Sequence, residues 1–76
     1  MADNNELIRL LEDRIHHTEE CCKTHLDNKT NIVSGQIKAG QKPSDAQELF
    51  FKQLAEYYND MGQTAEIISK LHKDNI

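Results

Sequence analysis

One stretch, Lys38-Ala39-Gly40-Gln41-Lys42-Pro43-Ser44, constrains this chain more than any other, because it is the one clear break in an otherwise helical spacing. It combines a glycine suited to a helix C-terminus, flanking lysines, the single proline and a serine able to cap a following helix. Ser44-Asp45-Ala46-Gln47 fits a capping box, with the Ser44 hydroxyl accepting from the Gln47 amide, and predicts a helix starting at Asp45. At the other end, Asn4 or Asn5 is placed to cap a first helix whose opening turn carries Glu6, where the helix dipole favours negative charge.

Both flanks of the break have helical periodicity, and no segment alternates with the period of a strand. Before it, Ile8, Leu11, Ile15, Thr18, Cys22, Leu26, Val33 and Ile37 recur at steps of three or four, with a jump at Lys29. After it, Phe50, Leu54, Tyr57, Met61, Thr64 or Ala65, Ile68 and Leu71 form a stronger seam. The expectation is an all-α fold: one domain over residues 1–76, an antiparallel, coiled-coil-like two-helix hairpin. Helix 1 should run over about 5–38, a short Gly/Pro loop over about 39–44, and helix 2 over about 45–73. Folding about the loop sets Ile15 against Ile68, Cys22 against Met61, Leu26 against Tyr57 and Val33 against Phe50. Lys29 opposite Leu54 is the mismatch, accommodated if its stem packs while its ammonium reaches water. Gly35 and Gly62 weaken the helices that contain them. Glu19–Lys23, Glu48–Lys52 and Glu66–Lys70 each place an acid four residues before a base, a favourable surface pairing.

The 76 residues leave room for one small domain, whose core supplies no more than about 3–5 kcal/mol of net stability. Hydrophobic residues make up only 37% of the chain, so core material is short. Thirteen acidic and nine basic residues give a net charge of −4, which argues against nucleic acid as a partner. Met1-Ala2-Asp3-Asn4-Asn5-Glu6 lacks the pattern of a signal peptide, and no apolar run approaches a membrane span. The adjacent Cys21 and Cys22 point about 100° apart on a helix and cannot bridge each other without distortion, so a reducing, cytoplasmic setting is expected. Asn28-Lys29-Thr30 matches a glycosylation acceptor, which without a secretory signal is read as a chance match.

One seam leaves apolar surface over. Beside it on helix 2 lies a second row, Phe51, Ala55, Tyr58, Gly62 and Ala65, in which small residues between aromatic ones would let another helix approach closely. Leu7 and Leu10 form a smaller surplus at the start of helix 1. On a rod about 45–50 Å long at about 1.5 Å per residue, these two patches sit toward opposite ends. They are the expected partner-binding residues, and the chain is read as a fold that is incomplete without a partner.

His16, His17, Cys21, Cys22 and His25 are the one cluster of metal-capable side chains. His17, Cys21 and His25 follow one another at i, i+4 and i+8, but three residues over two turns of one helix cannot converge on a single ion unless a second molecule completes the shell. No metal or other cofactor is therefore expected. Neither a nucleophile–base constellation nor a glycine-rich phosphate loop is present, and a two-helix rod offers little concavity, so the chain is not expected to be an enzyme.

Two helices around Ala39-Gly40-Gln41-Lys42-Pro43, the second ending in Ala65-Glu66-Ile67-Ile68-Ser69-Lys70-Leu71, resemble the small co-chaperones of type III secretion needle subunits, the YscE/PscE/EscE type. The likeness is best over residues 37–71. It implies a cytoplasmic virulence-associated protein that pairs with a larger tetratricopeptide-like chaperone, the two holding the needle subunit soluble and monomeric before export. Masking an apolar helix of that kind requires another apolar helical surface. The resemblance does not account for the His-Cys cluster. Two alternatives stay open: a self-associating helical adaptor, dimeric through Phe51 and Tyr58, and a small acidic inhibitor or antitoxin-type protein. Lys23, Lys29, Lys52 and Lys70 interrupt the row of acids that the last would need.

Overall fold

The computed structural model describes residues 4–74, in three helices: α1 (Asn4–Asp27), α2 (Lys29–Lys38) and α3 (Pro43–Asp74). The protein is all-α, and among the described residues there is no strand. The expected two-helix hairpin is corrected by a one-residue break at Asn28, which divides the first arm. The Asn28 backbone (φ −100°, ψ 14°) leaves the helical region. Both its backbone N–H (3.0 Å) and its side-chain amide (2.8 Å) donate to the Thr24 carbonyl. Such side-chain bonds offer the backbone an alternative to the regular ladder. The ladder still resumes across the break, because the Ile32 N–H donates to the Asn28 carbonyl at 2.9 Å.

The turn between the arms is a Schellman motif. The Gly40 N–H donates to the Ile37 carbonyl and the Gln41 N–H to the Gln36 carbonyl, both at 3.0 Å, with Gly40 at φ +104°. α3 then starts at Pro43, two residues before the expected Asp45. The Lys42 carbonyl accepts the first helical bond from the Ala46 N–H at 3.0 Å, so Pro43 takes the first helical position, where its missing N–H costs nothing. Ser44 therefore lies inside the first turn, and the Ser44–Gln47 capping box does not set the helix start. Asn4 and Asn5 already belong to α1, so the residue preceding that helix lies outside the described residues.

Both α1 and α2 lie along α3, in a rod of 55 × 16 × 15 Å. The 32 residues of α3 account for most of that length at about 1.5 Å per residue. Toward the turn, Val33, Ala46 and Phe50 are buried together with Ile32 against them. Ile8, Thr18, Cys22, His25 and Thr64 continue the buried line toward the far end. Leu11, Ile15, Leu54, Tyr57, Met61, Ile68 and Leu71 are only half-buried, as expected of a single thin seam.

Two seam residues are corrected. Leu26 is 43% exposed, while its neighbour His25 is 8% exposed and takes the inward position. The buried line on the first arm steps Ile8, Leu11, Ile15, Thr18, Cys22, His25, Lys29, Ile32, a strict alternation of three and four that puts Leu26 on the flank. Ile37 is likewise exposed, with the half-buried Gln36 inward of it.

Candidate partner-binding surface

Pairing across the seam determines which side chains are left facing outward. The His25 ring stacks flat on Phe50, with centroids 4.1 Å apart and planes 9° off parallel, and meets the edge of Tyr57 at 5.8 Å. Its Nε2 lies 3.1 Å from the Phe50 carbonyl oxygen. Thus His25, not Leu26, packs against Tyr57. Lys29 is set over the Phe50–Phe51 pair, with Nζ 5.9 Å from the Phe50 ring centre and 5.0 Å from that of Phe51. Its stem is half-buried and its charge rests on aromatic faces, a cation–π arrangement.

Further along, Arg14 donates to Asp60 at 2.7 Å and the Thr18 hydroxyl donates to the same carboxylate at 3.3 Å. The Arg14 bond holds the Asp60 carboxyl below the usual carboxylate range, partial desolvation opposes this, and the Thr18 bond adds to the lowering. The Tyr58 hydroxyl is held above its ordinary pKa, chiefly by the nearby Cys22 thiol.

Every residue of the expected outward row is exposed: Phe51 (49%), Ala55, Tyr58 (55%), Gly62 and Ala65. A Cβ built on Gly62 meets nothing within 4 Å, so the middle of the row is open. Phe51 is held in place by the edge of Phe50 at 5.2 Å and by Lys29 above it. Leu7 (45%) and Leu10 (56%) are exposed near the free end of α1. Leu26, expected in the seam, joins the exposed apolar surface, as does Ile67, to which the sequence assigned no role. Ile67 lies on the other flank of the α3 seam, a position legible from its step to Ile68.

The His-Cys cluster separates. His17 Nε2 and Cys21 Sγ stand 3.8 Å apart on the surface, whereas His25 is turned into the seam on Phe50 and Cys22 is buried. His17, Glu20 and Cys21, with His25, Ile32 and Tyr57 behind them, line a shallow open groove of about 390 Å³. Among the described residues, no three His, Cys, Asp or Glu side chains stand together as a metal site, and no helix is long and apolar enough to cross a membrane. Compared with known proteins, the chain matches no family model, no curated protein and no solved structure.

Proposed function

We propose that the protein is a helical partner subunit: its α3 row lies against an apolar helix of another protein, and the complex keeps that helix from associating elsewhere. The observation that carries this reading is the row itself. Two large aromatic side chains half out of water alternate with Ala55, Gly62 and Ala65, a relief that accepts a helix at close range. Phe51 and Tyr58 supply the rigid anchors that such interfaces concentrate their affinity in.

The resemblance over residues 37–71 supports a more specific role: a cytoplasmic co-chaperone that joins a larger tetratricopeptide-like chaperone to hold a type III secretion needle subunit soluble before export. The test is co-expression with such a chaperone and needle subunit, followed by co-purification. The wild-type chain is expected to copurify with both. Tyr58→Asp and Phe51→Asp are expected to lose capture while keeping helical content, since an aspartate at position 51 would lie beside the Lys29 ammonium. Undiminished capture by both variants would move the interface to Leu7 and Leu10. Failure of the wild-type chain to capture either protein would overturn the secretion assignment, and a stable homodimer by light scattering would favour the self-associating adaptor.

A further inference from the structure

The groove beside α1 holds a pair of donors that the partner-binding row does not use. We propose that His17 and Cys21 form half of a zinc site, completed by the same pair from a second copy of this chain. Zinc held by sulfur at about 2.3 Å and nitrogen at about 2.0–2.1 Å in a tetrahedron sets those two atoms about 3.6 Å apart. Cys21 Sγ and His17 Nε2 are already 3.8 Å apart, so the ion can enter between them with little movement of either side chain. The two residues stand one turn apart on α1 and line the groove, His17 exposed and Cys21 half-buried.

Among the described residues, one chain brings two ligands together. His25, the next donor along the helix, is committed to the Phe50 carbonyl, and no third described His, Cys, Asp or Glu stands with the pair. A tetrahedral ion needs four ligands, and a two-fold axis through it brings an identical His17–Cys21 pair. The site is then Cys₂His₂. Each Cys21 thiol gives up its proton on coordination, so two protons pass to solvent for every ion bound and affinity rises with pH.

The test is titration of the purified full-length chain with Co²⁺ and then Zn²⁺, with the thiols kept reduced by a phosphine. Half an equivalent of Co²⁺ should produce thiolate-to-metal charge-transfer absorption and intense tetrahedral d–d bands, with the mass doubling by light scattering. Zn²⁺ should displace the colour and keep the doubled mass. Cys21→Ser and His17→Ala should weaken binding by about 100-fold or more, because even an outer-shell partner of a ligand is worth about 10–100-fold. His16→Gln, whose ring faces Glu19 at 3.8 Å, should bind as the wild type does. Circular dichroism on each variant separates loss of the site from loss of the fold. Absence of the charge-transfer band, its persistence in Cys21→Ser, or one ion per monomeric chain would overturn the proposal.

Discussion

Inside the seam, His25 lies flat on Phe50 with its Nε2 at the Phe50 carbonyl, and it is the one buried histidine of the described residues. Removing the ring would strip Phe50, the largest fully buried side chain, of its stacked partner. His25→Ala should therefore lose about 1–3 kcal/mol in urea unfolding, while Leu26→Ala, one residue on and exposed, should stay within about 0.5 kcal/mol. The reverse order would put the seam back on Leu26. Hydrophobicity ranks Leu26 above His25, and that ranking hid the residue the strict three-and-four step selects.

Asp60 makes a second prediction at this scale. Its carboxyl pKa is lowered in the folded state, so the contribution of the Arg14–Asp60 bond is present above the ordinary carboxylate pKa and is lost as pH falls through the lowered value. Carboxyl-carbon NMR should find Asp60 titrating below the usual aspartate range. In Arg14→Gln it should return toward the usual range, and an unchanged titration would show that the ion pair does not form in solution.

Among the elements, the turn has the strictest requirement on residue type. Gly40 at φ +104° occupies backbone space that side chains rarely enter, whereas Gly35 lies in α2 with nothing within 4 Å of an added Cβ. Gly40→Ala should cost about 1–2 kcal/mol, and Gly35→Ala should stabilise by about 0.5–1 kcal/mol, both read from urea midpoints. Equal effects would show that the Schellman geometry does not govern the turn. This turn was legible in the sequence because Gly40 and Pro43 have few other uses at that spacing. The start of α3 at Pro43 was less so, since Ser44 and Gln47 spell a cap that the preceding proline pre-empts. The break at Asn28 was hidden, because it depends on a side-chain amide finding the Thr24 carbonyl, and periodicity does not register that bond. Of the surface pairs, Glu48–Lys52 and Glu66–Lys70 stand at 3.9 Å, while Glu19 turns to His16.

As a whole molecule, the protein is a rod 55 Å long with one thin seam and, among the described residues, a single large side chain, Phe50, wholly out of solvent. The outward row was legible from spacing alone, because Phe51, Ala55, Tyr58, Gly62 and Ala65 share a flank once the seam is placed. The proposed partner of that row was not, since one chain's sequence carries nothing of another protein's surface. A rod so slender buries a small fraction of its apolar surface, and a helix laid along the row would add the missing layer. Urea unfolding of the purified chain at low micromolar concentration, followed by circular dichroism alone and again with its captured partner, tests this most directly. The expected result is a shallow transition at low urea for the chain alone, moving to higher urea and steepening in the complex. A steep, high-midpoint transition for the isolated monomer, unchanged by any partner, would contradict it.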